Sequence, residues 1–536
     1  MKHFYIFRFY IAILFLLSSI CLSAQESAAL RAILEQEGSS IVLSNGTNLI
    51  SKRVIPTFYN GQEYRLMWTE EENRESLLNN IRASDDEGLN PEDYHLKEIE
   101  TLAALNYSKL EEQKKAELDL IFSDAFIQLG AHLNSGKVDQ SDLDYEWNVE
   151  RNPLPYSPDS LIAVTLHNKN ISKLLESLKP QTYLYHELKA ALREYKNLAL
   201  RGGWPKMSEG ETLKKGMSGE RVLELRNYLA ATGDLNNSKG NLDLFDDELE
   251  NAVKKFQERF SLTQDGVVGK GVLAEMNVSV ENRIDQIRVN LERSRWVLHD
   301  LNDDFLVVNV AGFYLRRITN GKSVFYSRVI VGKNQHKSPV FKDEMEFVDL
   351  NPTWTIPYSI ATNETLPKMK NNPNYLASQN ILIYDKGGHL VNPANLDLNQ
   401  YSKGNFPFTL VQQPGAHNAL GEVKFMFPNK YAIYLHDTPS RSLFEKQDRA
   451  FSHGCIRLDD KWGLFLNLLG DKGWTQEKID EVIKSRKTTR IKLDKPIDIY
   501  ILYWTASVDE NNKVIFIRDV YKRDSDVLKA LNKPLS

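Results

Sequence analysis

The chain has 536 residues, of which 42% are hydrophobic and 26% are charged. Domains usually hold roughly 100 to 200 residues, so this length predicts about three domains rather than one core. The composition is ordinary for a soluble globular protein and excludes a disordered or fibrous chain. A formal net charge of −5 argues against nucleic acid as the main partner, because phosphate binding needs a basic surface.

The first residues have the layout of a secretory signal peptide. Lys2 and Arg8 form a basic start, and an apolar run follows over residues 9–17. Small residues then precede a predicted cleavage point near Ala24. The run is short for a membrane span, which needs about 20 residues, and an uncleaved membrane anchor is the alternative. We predict export to the periplasm or cell envelope, and removal of residues 1–24 would leave 65 basic and 72 acidic residues.

The chain contains two cysteines, Cys21 and Cys455. Removal of the signal peptide would leave Cys455 alone, and an exported protein with one cysteine has no internal disulfide. The remaining thiol is then either a buried bystander or a reactive group. The cysteine count does not decide between these two, so the neighbouring residues have to be considered.

Residues 25–205 are predicted to form an α-helical scaffold domain, since few stretches here alternate as strands do. In the stretch AELDLIFSDAFIQLGAHL the apolar residues recur on one predicted helix face: Leu118, Ile121, Phe122, Ala125 and Leu129. A segment rich in glycine and polar residues follows at 200–220 and marks a domain boundary.

Residues 210–278 are predicted to form a small helical module. Two apolar sets recur there at helical spacing: Val222, Leu225 and Leu229, then Val253, Phe256 and Phe260. With the stretches AVKKFQ and DGVVG, this pattern resembles the type 1 peptidoglycan-binding module. The resemblance implies a contact with peptidoglycan, and a three-helix packing module that binds nothing is the alternative.

From about residue 300 the pattern changes to β structure. Alternating and β-branched runs flank Asn320-Gly321, a dipeptide typical of tight hairpins. We predict a mainly β domain at 300–505 and a C-terminal extension at 506–536, made of an extra strand and a polar tail. The loop-rich segment 351–404 is too long for a hairpin turn and is predicted to be a cap over a site. The predicted fold class is therefore multidomain α + β.

Two short stretches carry candidate chemistry, IYLHDTPS with His436 and FSHGCIRL with Cys455. The two residues are 19 apart. His436 ends an apolar strand, and Cys455 lies in a loop ahead of a predicted helix, DDKWGLFLNLLG. A neighbouring histidine, Arg457 and a helix start would all favour the thiolate, the reactive form of cysteine. Gly454 would allow the close backbone approach that an oxyanion site requires.

These residues also permit other interpretations. A cysteine near a histidine is often a coincidence, and a histidine after a strand is often structural. His436, His453 and Cys455 could supply three zinc ligands. No obvious fourth ligand or metal spacing accompanies them, so we expect no metal site.

HDTP followed by SHGCIRL resembles the signature of the L,D-transpeptidase catalytic domain of the YkuD type. The resemblance continues through NPTWTIPYSI, GEVKFMFPNKYAIYLHDTP and YILYWTASVDENNKV. The whole layout, with a helical scaffold and an inserted peptidoglycan-binding module, is similar to the large branch of that family and covers nearly the full chain. One departure is Asp437, where the commonest family pattern has glycine.

The resemblance implies a role for each residue of the motifs. Cys455 would be the nucleophile, and His436 would be the proton donor and acceptor. His453 would support the nucleophile, and the backbone N–H groups of Gly454 and Cys455 would form the oxyanion hole. Arg457 would steady the loop or favour anionic states, and a plain salt bridge under the loop is the alternative.

The implied reaction is acyl transfer between peptidoglycan stem peptides, which serve as donor and acceptor. Cys455 would attack the carbonyl of the third residue of a tetrapeptide stem, D-Ala would leave, and an amine of a neighbouring stem would complete a 3→3 cross-link. No metal or organic cofactor is implied, and carbapenems would acylate the thiol. Possible substrate contacts, which are otherwise core or loop residues, are Trp354, Tyr358 and Ser452.

Two alternatives stay open beside the cross-linking transferase. An L,D-carboxypeptidase or endopeptidase would use the same site, with water in place of the acceptor amine. A non-catalytic wall-binding scaffold would have lost the chemistry, but the complete HDTP and SHGCIR motifs argue against such a loss.

Overall fold

The computed structural model describes the chain over residues 28–35, 40–143, 147–149, 158–236, 242–299, 301–509 and 513–535. The predicted signal peptide and Cys21 lie outside these ranges. Across the described ranges, no helix has both the length and the apolar character that crossing a membrane requires. The predicted multidomain α + β class is confirmed, since helices dominate the first half and one large sheet dominates the second.

The N-terminal region is helical, as predicted. Its helices are α1 (Val54–Gly61), α2 (Glu71–Ala83), α3 (Leu96–Ala103), α4 (Glu112–Ser135), α5 (Pro158–Asn168), α6 (Ile171–Ser177) and α7 (Tyr183–Leu200). Helix α4 is central, because every residue from Ala116 to Phe126 is buried. The predicted apolar face of α4 is therefore buried, but so is its polar face.

Three short helices build the predicted module. They are α8 (Glu220–Ala231), α9 (Asp247–Arg259) and α10 (Lys270–Met276). Both predicted apolar sets are buried in its core. The long helix α11 (Val280–Val297) follows and leads from the module into the β region. Its buried face packs against α7 and the module core.

The β region is a sheet that closes on itself. Its strands and those of its insertion are β1 (Trp147–Asn148), β2 (Asp304–Asn309), β3 (Tyr314–Thr319), β4 (Lys322–Gly332), β5 (Val340–Leu350), β6 (Trp354–Thr355), β7 (Ile381–Tyr384), β8 (Thr409–Gln412), β9 (Val423–Met426), β10 (Leu435–His436), β11 (Ala450–Ser452), β12 (Ile456–Leu458) and β13 (Thr489–Leu502). The order β5-β13-β2-β3-β4-β12-β10-β9 returns to β5, because β9 pairs with it. The predicted Asn320-Gly321 hairpin joins β3 to β4, with both turn residues at positive φ.

Within the closed strand order, β13 pairs with β2 and β10 pairs with β12 in parallel, and β11 adds to β4 in parallel beside it. β1 comes from the scaffold region and adds to the edge of β5 in parallel. The scaffold helices and the barrel accordingly share one hydrophobic cluster rather than two separate cores.

The insertion between β5 and β9 is a folded subdomain rather than a loop-rich segment. It contains the short helices α12 (Tyr358–Ile360), α13 (Leu366–Asn371) and α14 (Tyr375–Ser378), with a π-helical turn at Ala361–Thr365. Its three-stranded sheet, β6-β8-β7, includes β8, which lies beyond the predicted limit at residue 404. A separate apolar cluster fills this subdomain, which we call the cap.

Two helices, α15 (Lys461–Leu469) and α16 (Gln476–Ser485), precede β13. After it come β14 (Ala506–Val508), β15 (Val514–Phe516) and α17 (Asp524–Asn532). The predicted extra strand in the C-terminal extension is thus present as β15. The expected polar tail is instead a helix that buries Val527 and Leu531 against the shared core.

Candidate active site

The parallel pairing of β10 with β12 brings the two predicted stretches together. In this register Leu435 lies opposite Ile456, and His436 lies opposite Arg457. Neighbouring strands are separated by about 5 Å. Cys455 immediately precedes β12, and the Ile456 N–H donates to the Tyr434 carbonyl at 3.2 Å. Residues 19 apart in sequence therefore lie on adjacent strands.

His436 is buried, and one of its ring nitrogens is already engaged. Its Nδ1 lies 2.5 Å from the backbone carbonyl oxygen of Asp437. A carbonyl can only accept a hydrogen bond, so Nδ1 carries the proton and Nε2 is left as a base. Burial, followed by the charge of Arg457, lowers the pKa of His436 to about 3. The imidazole is therefore neutral at neutral pH.

Cys455 is half-buried, and burial raises the pKa of its thiol. Hydrogen bonds from the Tyr434 backbone N–H and hydroxyl oppose that rise, as do the charges of Lys424 and Arg457. The thiol itself is 3.7 Å from the Ala432 carbonyl, to which it donates. At rest the thiol of Cys455 is therefore protonated and the imidazole of His436 is neutral.

Arg457 provides a half-buried positive charge at this site. Burial lowers the pKa of its guanidinium, while the neighbouring Cys455 opposes the effect. Its Nε is buried and has no hydrogen-bond partner in the part of the chain that the structure describes. Within those same residues, no carboxylate forms an ion pair with Arg457, so the plain salt bridge left open by the sequence is not what the structure shows.

The loop that carries the nucleophile is braced by short polar contacts. Gly454 has φ of +120°, a conformation that favours glycine. Its carbonyl accepts from the Ser338 hydroxyl at 2.7 Å, and its N–H donates to the Ser452 hydroxyl oxygen at 3.1 Å. Ser452 is buried and donates in turn to the Cys455 carbonyl at 2.5 Å. Contact of Ser452 with substrate stays a prediction.

His453 points away from the thiol and towards the cap. Its Nε2 lies 2.7 Å from Oε1 of Glu364, which belongs to the π-helical turn. Its ring also packs on the ring of His336, with centroids 5.1 Å apart. Among the described residues, no group of three or more His, Cys, Asp or Glu side chains is arranged to hold a metal ion.

The two predicted aromatic contacts differ in position. Trp354 on β6 of the cap is half-buried and hydrogen-bonds to the Tyr434 side chain, which also contacts the thiol. Tyr358 is exposed, and its hydroxyl donates to the Lys403 carbonyl at 2.7 Å within the cap. Trp354 is thus connected to Cys455 through Tyr434, whereas the Tyr358 hydroxyl is hydrogen-bonded within the cap. Contact of either residue with substrate stays a prediction.

The predicted helix start is not beside the thiol. Strand β12 follows Cys455 directly, and α15 begins only at Lys461, capped by the Asp460 carboxylate. The effect of a helix terminus falls off within its first turn, so α15 does not assist ionisation of Cys455. Instead, the charges of Lys424 and Arg457 and the hydrogen bonds from Tyr434 favour the thiolate.

Sequence reasoning missed Tyr434, Lys424 and Glu364. Tyr434 lies two residues before His436, so strand alternation puts both rings on one face, with centroids 5.6 Å apart. That spacing was visible in the sequence. Lys424 faces His436 across the β9–β10 pair and lies 3.9 Å from the Tyr434 ring centroid. Neither Lys424 nor Glu364 could be placed without the tertiary pairings.

Three family descriptions match the chain in succession. "Scaffold domain" matches residues 53–192, "Putative peptidoglycan binding domain" matches residues 218–276, and "L,D-transpeptidase catalytic domain" matches residues 303–472. The third range contains both His436 and Cys455.

A Haemophilus influenzae protein named "Putative L,D-transpeptidase" is 37% identical over 252 residues, which cover 46% of this chain and 50% of that protein. The chain thus matches about half the length of this curated relative. An L,D-transpeptidase structure from Stackebrandtia nassauensis is 14% identical, with a TM-score of 0.21, and covers 56% of this chain and 96% of its own. One from Xylanimonas cellulosilytica is 12% identical, with a TM-score of 0.17, and covers 55% of this chain and 99% of its own.

The family descriptions follow one another in the order that the sequence predicted. Residues 303–472 thus match the YkuD-type L,D-transpeptidase catalytic domain, and the matches to a scaffold domain and a peptidoglycan-binding domain precede them in the chain.

Proposed function

We propose that this chain forms 3→3 cross-links in peptidoglycan by acyl transfer through Cys455. The observation that supports the proposal is the pairing of β10 with β12, which brings Cys455 and His436 onto neighbouring strands. His436 is neutral, and its Nδ1 hydrogen bond leaves Nε2 unprotonated. A thiol and a base on adjacent strands are the parts that thioester chemistry needs. Peptidoglycan stem peptides would be both donor and acceptor, and the site of action would be the cell envelope.

The first half-reaction is acylation of the thiol. His436 Nε2 takes the proton from Cys455 as Sγ attacks the carbonyl carbon of the third stem residue. Collapse of the tetrahedral intermediate breaks the bond to the terminal D-Ala, and His436 returns the proton to the leaving amine. A thioester on Cys455 and free D-Ala are the products.

Charge on the tetrahedral oxygen has to be stabilised. We assign this role to the Cys455 N–H and to the Tyr434 hydroxyl, which hydrogen-bonds to the thiol. The predicted donor Gly454 already gives its N–H to Ser452, so its contribution is the positive φ that orients the loop. Arg457 and Lys424 add positive charge that favours the anionic states.

The second half-reaction separates the transferase from a hydrolase. An amine on the third residue of another stem attacks the thioester, His436 takes one of its protons, and the thiol is restored with that proton. Water in place of the amine would give a tripeptide instead. The cap beside the nucleophile loop supports the transferase, because a covered site limits the access of water.

We also propose a division of the chain into domains. The scaffold spans 25–205, the peptidoglycan-binding-like module 210–278, and the catalytic domain 300–505 with the cap inserted. The separate clusters of the module and the cap support this division. The shared cluster of scaffold and barrel indicates that these two parts fold against each other.

The test uses the purified chain without residues 1–24 and a disaccharide-tetrapeptide. Intact-protein mass spectrometry should show an adduct on Cys455 that has lost D-Ala, followed by 3→3 dimers in the product. The Cys455→Ala variant should form neither, and the Cys455→Ser variant controls for cavity effects at that position. Dimers from Cys455→Ala would refute the mechanism, and tripeptide as the only product would establish the hydrolase.

A further inference from the structure

A groove of about 770 Å³ lies between the three-helix module and the barrel, apart from the thiol. Its walls come from the end of α9 and the following turn, from β3 and β4, from the segment just before β11, and from the β14–β15 hairpin. This volume is within the range of about 300 to 1,000 Å³ that ligand clefts occupy. The active-site chemistry described above uses none of these surfaces.

The barrel wall of the groove is a platform of alternating tyrosine and arginine. Tyr314 and Arg316 on β3 lie opposite Arg328 and Tyr326 on β4 in the antiparallel register. The two tyrosine rings are stacked, with centroids 6.0 Å apart. Tyr326 is 52% exposed, although a large aromatic side chain gains by burial. Flat aromatic faces of this kind pack well on the C–H face of a pyranose ring.

Arg316 adds an unneutralised positive charge to this platform. Its guanidinium lies 5.1 Å from the Tyr314 ring centroid and 5.8 Å from that of Tyr326. The Nε atom is buried and has no hydrogen-bond partner among the residues that the structure describes. Arg328, by contrast, is paired with Asp459 and Glu445. Within the described part of the chain, the platform therefore offers the guanidinium of Arg316 without an ion pair, beside two exposed or half-exposed rings.

The groove is connected to the nucleophile loop by β11. Arg449 lines the groove, and β11 begins at the next residue and runs towards Cys455. Six residues separate Arg449 from Cys455, a path of at most about 20 Å. Three extended residues of a stem peptide span about 10 Å. A stem whose third residue lies at Cys455 would therefore cover about half of the longest possible path, and the attached sugars would have to extend over the rest to reach the groove.

We propose that the groove binds the glycan strand of peptidoglycan, with a sugar ring on Tyr326 and Tyr314 and an anionic group of the ligand on Arg316. This inference rests on the proposed function, because the reacting stem determines where the attached sugars lie. The module forms the opposite wall, so the glycan is held jointly by the module and the barrel rather than by the module alone. The binding site is thus formed only when both parts are present.

The experiment measures binding by the full chain in a Cys455→Ala background, so that the ligand is not consumed. The ligands are a disaccharide-tetrapeptide and the same tetrapeptide without sugars. Calorimetry measures the dissociation constant of each. Tyr326→Ala and Arg316→Gln are each expected to raise the dissociation constant of the disaccharide-tetrapeptide about tenfold, as loss of a central contact does. Both should leave binding of the sugar-free tetrapeptide within about twofold. Circular dichroism checks that each variant is folded.

Tyr183→Ala is the matched control, because Tyr183 is also a half-exposed tyrosine but lies on α7, outside the groove. It should change neither dissociation constant. Equal losses for both ligands, no loss for either, or no added affinity from the sugars would overturn the proposal. Failure of the proposed function has a different signature. In that case the unsubstituted chain never forms an adduct on Cys455 that has lost D-Ala, whatever the groove variants do to sugar binding.

Discussion

His436 and Cys455, the two side chains that we propose to react, are held neutral by the same physical cause. Burial penalises charge, which lowers the pKa of His436 to about 3 and raises the pKa of the Cys455 thiol. A pair of this kind must transfer its proton during attack rather than before it. The Nδ1 bond to the Asp437 carbonyl fixes the tautomer that makes this transfer possible.

The neutral pair predicts a flat pH profile for acylation of Cys455. Between pH 5 and 7 the fraction of neutral His436 does not change, since its pKa is far below that window. The rate of acylation by a carbapenem, followed by intact-protein mass spectrometry, should therefore stay within about twofold. A histidine with its ordinary pKa of about 6.5 would lose most of its base form by pH 5.5.

The His436→Ala variant provides the control for this profile. Without the base only the free thiolate reacts, so its rate should be lower and should rise about tenfold per pH unit, as the thiolate population does. The same steep slope in the unsubstituted chain would show that a preformed thiolate is the nucleophile. An inflection near pH 6.5 would show that His436 is not buried as described.

Asp437 departs from the glycine of the family pattern, and its environment explains why it is tolerated. Its buried carboxylate accepts from Lys461 Nζ at 2.5 Å and from the Glu422 N–H at 3.0 Å. Gly421 leaves the space that this side chain occupies, since a Cβ there would collide with the carboxylate. The carboxylate thereby anchors the residue whose carbonyl orients His436.

We expect Asp437 and Lys461 to be energetically coupled. A double-mutant cycle of Asp437→Asn and Lys461→Met should give a coupling of about 1 to 2 kcal/mol in the free energy of unfolding, measured with urea. The exposed pair Lys472 and Asp494 is the control and should show no measurable coupling, because solvent screens it. Equal coupling in the two pairs would mean that burial adds nothing to the Asp437 contact.

At the scale of elements, apolar spacing predicts the helices and strands. It does not predict which of their polar residues are buried. Helix α4 was expected to bury one face, and it is buried all round. The Asp119 carboxylate accepts from the Trp68 N–H at 2.7 Å, and the Asp124 carboxylate accepts from the Ser51 N–H at 2.7 Å. A hydropathy pattern counts such aspartates as solvent-facing, because it contains no information on distant backbone donors.

Contacts between residues distant in sequence were also missed at the candidate site. Cys455 and His436 were predictable because their motifs lie within short stretches of sequence. Glu364 was not, since its contact with His453 joins residues 89 apart, and only the folded cap brings them together. The segment was predicted as a loop-rich cap, and its secondary structure was missed because its helices are shorter than two turns and its strands have two to four residues. Periodicity is not measurable over so few positions.

The Glu364–His453 contact ties the cap to the nucleophile loop, and its loss should loosen the cap. Partly exposed ion pairs contribute up to about 1 kcal/mol, so Glu364→Gln should speed amide hydrogen exchange in 361–371 by about threefold. Exchange in the barrel strands should not change. Mass spectrometry of peptic fragments would measure both.

Asp385→Asn is the control for the cap. Asp385 pairs with His389 at 3.3 Å, but both residues belong to the cap itself. This variant removes a similar carboxylate–imidazole contact without releasing the cap from the loop. If Asp385→Asn raised exchange in 361–371 as much as Glu364→Gln, the tether to His453 would have no special role.

At the scale of the whole molecule, α11 holds the scaffold and the barrel together through buried charges. Glu292 and Arg295 form an ion pair of which neither side chain is exposed. Arg295 also donates to the Glu87 carbonyl at 3.0 Å, and Glu292 accepts from the Val138 N–H at 2.7 Å. Both partners belong to the scaffold. A helix that enters the β region is thus bonded to the domain before it.

Glu292→Gln should therefore destabilise the whole chain rather than one domain. Removing one member of a buried pair leaves Arg295 uncompensated, which costs about 3 to 5 kcal/mol in the free energy of unfolding. Burial alone would raise the pKa of Glu292, but Arg295 and the Val138 N–H lower it. The ionised form thus adds stability above the unfolded pKa of about 4.3, and that stability is lost as pH falls through the lower folded pKa.

Urea unfolding at pH 7 therefore measures the full effect, and Glu281→Gln is the control because Glu281 is exposed on the same helix. Scaffold and barrel share one core, so the urea midpoints of far-UV circular dichroism and of tryptophan fluorescence should shift together in Glu292→Gln. A double variant, Glu292→Leu with Arg295→Met, should recover much of the loss, since it leaves no buried charge unpaired. Separate transitions for the two signals would show that the domains unfold independently and that α11 does not couple them.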